Sequence, residues 1–202
     1  PMSREEAMEV ILNNMPGDTI YSATTGRATR ELFFLREKRS ETKAHDFLNV
    51  GSMGHASSVA LGIALEKPER KVVALDGDSA CMMHMGAMTM VSKLDVPNFM
   101  HVVLNNGSHE SVGGQPSAGH KVDFTKIAEA CDYATVGHPV TTEVELMEAL
   151  EVLRNCGKAS FIDCRIHKGL SRKLPPVIFD HREVIDALID NLNESRITMD
   201  KK

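Results

Sequence analysis

The sequence predicts an α/β protein built in three layers, with helices on both faces of a mostly parallel sheet. Short apolar strand-like runs alternate with helix-sized segments as far as residue 166, and short loops join them. Polar, glycine-containing turns at 24–27, 51–54, 76–79 and 105–108 each follow such a run. In a doubly covered parallel sheet the carboxyl ends of the strands share one crevice, so these turns are expected to converge there.

Ser3 with Glu6 reads as a capping box opening a helix through about Asn14, because each side chain can satisfy the other residue's free amide. Asp18 to Ala23 reads as a short strand ending in Thr24-Thr25-Gly26, and a helix follows from about Ala28 to Lys38. Phe47-Leu48-Asn49-Val50 is a short apolar strand before Gly51-Ser52-Met53-Gly54. The small residues from Ala56 to Leu65 predict a tightly packed helix that Pro68 ends. Lys71 to Leu75 is a buried strand, a methionine-rich helix runs to about Lys93, and Phe99 to Leu104 is the next strand. After a glycine-rich loop over 107–121, Asp123 caps a helix to Cys131, Ala134-Thr135-Val136 is strand-like, and Thr142 with Glu145 makes a second capping box for a helix to Asn155. Ser160 to Ile166 is the last strand. Residues 168–179, with Pro175-Pro176, read as an extended arm before an amphipathic helix from about His181 to Leu192, and the charged end Asp200-Lys201-Lys202 is expected to fray. The chain is therefore read as one domain, with residues 1–170 as its body and 171–202 as an arm and helix belonging to it.

With 202 residues, 42% hydrophobic and 25% charged, the chain can bury an ordinary soluble core. A net charge of -5 without a basic run argues against nucleic acid, which demands clustered Lys and Arg. No run is long enough to span a bilayer, and the first residues lack the apolar core of a signal peptide, so a cytoplasmic protein is expected. The four cysteines are widely spaced without a Cys-x-x-Cys pair, which indicates neither zinc nor a disulfide framework. Met82 to Met90 is read as adaptable apolar packing, in the core or at a subunit interface, since soft thioethers do not suit hard cations.

The residues richest in chemistry are Leu75-Asp76-Gly77-Asp78-Ser79 and, one strand-to-helix-to-strand crossover later, Leu104-Asn105-Asn106-Gly107-Ser108. A carboxylate on one turn and carboxamides on the next can surround one hard cation with oxygen. Mg²⁺ completes its octahedron with water and ligand phosphates, so one Asp and one Asn suffice when the ligand is a diphosphate.

Gly77-Asp78-Ser79 with Asn105-Asn106 resembles the Gly-Asp-Gly to Asn-Asn signature of thiamine-diphosphate enzymes, with Ser79 in place of the last glycine. Asn49 to Ser58 and the run Asn105 to Pro116 are similar to the corresponding segments of phosphonopyruvate decarboxylases, over most of residues 1–170. The resemblance implies the thiamine-diphosphate-binding fold, Asp78, the side chain of Asn106 and the main-chain carbonyl of Ser108 as Mg²⁺ ligands, and Asn105 as their support. It implies Gly51 and Met53 at the pyrimidine, with Met53 as the bulky residue that bends the cofactor, and Gly77, Ser79, Ala80 and Thr25 around the diphosphate. Ser79 is a mild departure, because a small residue still admits a phosphate.

A larger departure is the lack of any counterpart of the separate domain whose glutamate activates the pyrimidine ring. The resemblance then implies a partner, either an α subunit or an amino-terminal half carrying that pyrimidine-binding domain, in an α2β2 assembly or an oligomer of fused halves, and no activity for this chain alone. The reaction implied is decarboxylation of a 2-oxoacid, 3-phosphonopyruvate, with sulfopyruvate as the alternative substrate; a silent regulatory module of the same fold is the non-enzyme alternative. A dinucleotide-binding protein ranks lower, for want of a Gly-x-Gly-x-x-Gly turn. His109 and Glu110 are candidates for proton transfer or substrate contact. Arg27 is either a bidentate partner for phosphonate or diphosphate or an exposed residue at a helix start. Gln115 could bond a substrate oxygen, although Gly113-Gly114 beside it also suits a mobile lid. His55 could face the cofactor or a neighbouring domain or be purely structural, and His84 and His101 are read as core histidines.

Overall fold

The structure is a computed structural model that describes residues 1–169, 174 and 179–199. Five strands, β1 (Ile20–Ala23), β2 (Asp46–Leu48), β3 (Val72–Gly77), β4 (Phe99–Asn105) and β7 (Ser160–Arg165), form one sheet in the order β2-β1-β3-β4-β7. Every adjacent pair is parallel. The chain builds outward from β1 to β2 and then returns to place β3 on β1's other side. The switch point of a doubly wound sheet, where loops part and leave a crevice, therefore lies between the ends of β1 and β3.

Helices α1 (Arg4–Asn14), α2 (Arg27–Lys38) and α6 (Glu143–Leu153) cover one face, and α3 (Ala56–Glu66) and α5 (Phe124–Ala130) the other, while α7 (His181–Met199) lies against the edge strand β2 and gives Val184 to the first core and Leu188 to the second. Strand β3 shows the division: Val73 and Leu75 pack with Met8, Leu32 and Leu146, whereas Val72 and Ala74 pack with Ala60, Phe99 and Phe161. Period-2 alternation with both faces buried is what makes the strand read as a continuous apolar run. Both capping boxes form, Ser3 with Glu6 and Thr142 with Glu145.

The methionine-rich segment departs from expectation. It is a short helix α4 (Asp78–Met83), a break at His84 and then a 3-10 helix, Met85–Lys93. Side chains compete with the ladder there: Thr89 Oγ1 donates to the Gly86 carbonyl and Ser92 Oγ to that of Thr89, both at 2.7 Å, and Gly86 adds backbone freedom. Met88 is buried, but Met83 and Met90 are exposed. Residues 134–136 do not form a strand; Ala134 makes a single bridge to Ser160, and Thr135 Oγ1 then accepts from the Gly137 amide as the chain turns away. β2 stops at Leu48 because the Asn49 carboxamide turns back onto Ser22 Oγ and the Ala23 carbonyl. His84 is exposed rather than in the core, and its ring lies against that of His55 with centroids 4.1 Å apart. His101 is buried as expected. The arm at Pro175-Pro176 and the tail at 200–202 lie outside the described residues.

Asn98, just before β4, ties the far end of the sheet. Its Nδ2 donates to the carbonyls of Ala64, Lys67 and Arg70 at 2.9–3.0 Å, closing the end of α3 and the turn into β3. Alanine at 98 is expected to leave the Ala64 and Arg70 carbonyls without this donor, while that of Lys67 keeps the Arg70 amide, at a cost of about 1–3 kcal/mol. Urea unfolding checks this, and a midpoint equal to that of the parent protein would refute it.

Candidate functional site

The turns after β1, β3 and β4 meet at the switch point around a cleft that Arg4 and Met53 help to wall. The cleft brings together Thr25, Arg27, Met53, Gly77, Asp78, Ser79, Ala80, Asn106, Ser108, His109 and Glu110. Three expected residues do not line it: Gly51 is exposed just before Met53, Asn105 is buried beneath, and Gln115 is exposed on the short hairpin β5 (Ser108–His109) and β6 (Gln115–Pro116).

Near the end of β3 stands Asp76, fully buried, whose Oδ1 accepts from the Gly77 amide and whose Oδ2 lies 3.2 Å from His101 Nε2. Gly77 is the N-cap of α4 and offers no side-chain acceptor, so no side chain caps the amides of the first turn, to which Ser79 and Ala80 belong. α4 has only 6 residues, so these amides matter more than any macrodipole.

Asp78 is held from outside. Its Oδ2 accepts a hydrogen bond from Ser117 Oγ, which itself accepts from the Gly119 amide at 3.0 Å. Asn105 Nδ2 donates to the Gly119 carbonyl at 2.9 Å and to Asp163 Oδ1 at 3.0 Å, while Asn105 Oδ1 accepts from the Gly107 amide. Gly107 has a φ of 62°, and a Cβ there would lie 2.8 Å from the His120 ring, so the turn between β4 and β5 depends on glycine. Asn106 Oδ1 accepts from the Ser108 amide at 3.0 Å, and Asn106 Nδ2 donates to Glu110 Oε2 at 3.2 Å. The Ser117 amide bonds the Gly107 carbonyl, so by the alternation of an antiparallel ladder the main-chain groups of Ser108 point away from Pro116.

A chain of charges borders these groups. Arg4 bridges Glu31 Oε2 at 3.1 Å and Glu110 Oε2 at 2.6 Å, and Arg27 Nε is 3.9 Å from Glu110. Burial raises the Glu31 carboxyl above its usual range, with Arg4 pulling the other way. Burial also acts to raise Glu110, but Arg4, the Gly169 amide and Arg27 outweigh it and hold that carboxyl below the ordinary range.

Several buried polar atoms in the cleft lack a hydrogen-bond partner among the described residues: Thr24 Oγ1, Arg27 Nε, Ser79 Oγ and Ser108 Oγ. Buried donors of this kind are costly unless a ligand meets them. They are hydroxyls and a guanidinium, which suit an oxygen-rich anion, and they face a carboxylate and a carboxamide that suit a hard cation. No cluster of three or more His, Cys, Asp or Glu that could hold a metal alone occurs among the described residues, so such a cation would lean on ligand oxygens and water. The residues present therefore fit a diphosphate carried with Mg²⁺.

Sequence reasoning missed Arg4, Glu31, Ser117 and Gly119. Arg4 looks like an ordinary first-turn residue of a capped helix, and nothing near Ser117 in the sequence shows that it returns to Asp78, 39 residues away.

The class that fold and cleft define is a diphosphate-binding α/β domain, and residues 24–164 match the family described as thiamine pyrophosphate enzyme, C-terminal TPP binding domain; the chain belongs to this family. It is 38% identical over 148 residues to phosphonopyruvate decarboxylase of Streptomyces viridochromogenes, an alignment covering 73% of this chain and 36% of that protein. It is 27% identical over 186 residues to the beta subunit of sulfopyruvate decarboxylase of Methanocaldococcus jannaschii, covering 89% of this chain and 94% of that one. Among solved structures, the thiamine diphosphate-dependent 4-hydroxybenzoylformate decarboxylase of Rhodococcus jostii RHA1 superposes with a TM-score of 0.62 at 18% identity, over 82% of this chain and 32% of that one, a likeness of fold. The chain thus spans only about a third of the phosphonopyruvate decarboxylase it matches. No helix among the described residues is long and apolar enough to cross a membrane.

Proposed function

We propose that this chain is the diphosphate-binding subunit or half of a thiamine-diphosphate-dependent decarboxylase that converts 3-phosphonopyruvate to phosphonoacetaldehyde and CO₂. The observation that carries the reading is the cleft itself, where unpartnered Thr24, Arg27, Ser79 and Ser108 donors face the oxygens of Asp78 and Asn106. In this reading Asp78, Asn106 Oδ1 and the Ser108 carbonyl hold Mg²⁺, with Asn105 fixing the turn from below. Gly77, the Ser79 and Ala80 amides, Ser79 Oγ and Thr25 receive the diphosphate, and Met53 with the main chain of Gly51 meets the rest of the cofactor.

When bound, thiamine diphosphate supplies the electron sink that the bond to the substrate carboxylate needs in order to break. The chain's own residues orient, shield and protonate. Arg27 has an Nε without a hydrogen-bond partner to offer the phosphonate, His109 in the cleft lining holds a proton for the product carbon, and Gln115 on the hairpin reaches the substrate if β5 and β6 fold inward. The carboxylate that activates the pyrimidine comes from the partner, an α subunit or amino-terminal half, in an α2β2 assembly or an oligomer of fused halves in the cytoplasm. Residues 1–170, with 171–202 as their arm and helix, form one domain of it.

Similarity to the sulfopyruvate decarboxylase subunit supports a second reading with a sulfonate substrate. A coupled aldehyde assay with the partner present is expected to show turnover that requires both chains, and a higher kcat/KM for phosphonopyruvate than for sulfopyruvate. Preference for the sulfonate would select the second reading. Cofactor binding without turnover of either substrate would point to a regulatory module, and absence of thiamine diphosphate and Mg²⁺ binding would overturn all three.

A further inference from the structure

Asn106 Nδ2 faces Glu110 and its Oδ1 faces the Ser108 amide. The two ends of a carboxamide have nearly the same shape, yet a half-turn replaces lone pairs with two protons, and only the oxygen can meet a cation. A carboxylate can only accept. Turning Asn106 over would set its oxygen against Glu110 Oε2 and its amino group against the Ser108 N–H, so both neighbours select the same orientation.

Glu110 is itself fixed. Oε2 receives Arg4 NH2 at 2.6 Å besides Asn106, and Oε1 receives the Gly169 amide. Arg4 is held at its other nitrogen by Glu31 Oε2, 3.1 Å away. Arg4 and Glu31 are 6% and 2% exposed, so water screens the series weakly. The contacts run in series from α2 through α1 to Glu110 just after β5, and Glu110 alone of the three meets the Asn106 amide. To act as a proton donor Glu110 would have to leave these partners.

We infer that Glu110 is a positioning residue: it fixes the Asn106 carboxamide with its oxygen toward the cation, and Arg4 backed by Glu31 holds Glu110 in place. The inference rests on the reading of Asn106 as a cation ligand and replaces the proton-transfer role expected for Glu110. His109 keeps that role.

The test is a Mn²⁺ titration, with thiamine diphosphate, of the complex this chain forms with its partner, followed by the electron paramagnetic resonance of free Mn²⁺, with thermal unfolding alongside. In Glu110→Gln the new amide can present its own amino group to Asn106 and let it turn over, so Mn²⁺ affinity is expected to fall about 10–100-fold, the usual cost of losing a group that orients a ligand. In the Asn106→Asp background either orientation offers oxygen to the cation, so Glu110→Gln is expected to cause no further loss. Equal losses in both backgrounds, or an unchanged affinity in Glu110→Gln alone, would overturn the orienting role. If the parent complex, with the partner present, takes up no Mn²⁺ with thiamine diphosphate, the cofactor reading fails and takes this inference with it, an outcome the comparison of backgrounds keeps distinct.

Discussion

Alanine at position 119 is expected to weaken cation-dependent cofactor binding on the order of 100-fold while leaving a folded protein. A Cβ on Gly119 would lie 2.3 Å from Asp78 Oδ2, 2.5 Å from Asn105 Oδ1 and 2.8 Å from Asp78 Cβ, all inside van der Waals contact. None of these atoms can yield without loss. Asp78 Oδ2 is bonded by Ser117, Asn105 Oδ1 by the Gly107 amide, and Gly119 itself is tied at its carbonyl by Asn105 and at its amide by Ser117. The φ of Gly119 lies outside the left-handed region, so the strain comes from space and not from the backbone. The overpacking is expected to cost about 1–3 kcal/mol of stability, because one added methyl can be accommodated by local shifts. Those shifts move Asp78, and a ligand displaced from its geometry loses on the order of 100-fold in cation affinity. Mn²⁺ binding with thiamine diphosphate, measured beside urea unfolding, separates the two effects. Parent-like affinity in Gly119→Ala would show that the 117–119 segment does not govern Asp78.

The contrast between Asp78 and Gly119 shows which parts of the molecule the sequence discloses. Asp78 and Asn106 stand on turns after apolar strands, so local pattern and the order of elements put both in one crevice. The capping boxes at Ser3 and Thr142 are equally legible, because both partners lie within four residues. Ser117 and Gly119 carry no such mark. Their meaning comes from a return of the chain to a turn formed far earlier, and a glycine in a glycine-rich loop looks the same whether it is spacious or crowded. Arg4 and Glu31 are hidden for a related reason: charged residues on amphipathic helices normally face water, and only packing of α1 against α2 reveals them as buried partners. Where the reading of elements failed, in Met85–Lys93 and at 134–136, hydroxyl side chains close local hydrogen bonds that the apolar pattern does not register.

Methionine in place of Arg36 is expected to destabilise the fold by about 3–5 kcal/mol at neutral pH, a large share of the roughly 5–15 kcal/mol that holds a domain together. Asp46, on the edge strand β2, is fully buried and takes two hydrogen bonds from Arg36, Nε to Oδ2 and NH2 to Oδ1, each 2.9 Å. The guanidinium also lies over the Tyr21 ring, 5.2 Å from its centroid, and bonds the half-exposed Glu41. Removing it leaves the Asp46 carboxyl alone inside the protein, where it is either stranded as a charge or has to take up a proton. Burial already pushes the Asp46 carboxyl from 3.8 up to about 6, with Arg36 pulling against that rise. A carboxyl with a raised pKa binds its proton more tightly in the folded state. Its contribution is therefore most favourable below about pH 4 and is lost as pH climbs to about 6. Without Arg36 the folded-state pKa climbs further and the window extends upward. The deficit of Arg36→Met is then largest above about pH 7 and shrinks as pH falls through about 6, below which Asp46 is neutral in the folded state with or without Arg36. Adding Asp46→Leu removes the stranded carboxylate and is expected to recover most of the loss. The recovery matters for the cleft, since β2 leads through Asn49 into Gly51 and Met53, and a loosened edge strand would carry Met53 away from the cofactor. Urea unfolding at about pH 5 and about pH 7.5 tests the account: a pH-independent deficit, or a double variant no more stable than Arg36→Met, would refute it.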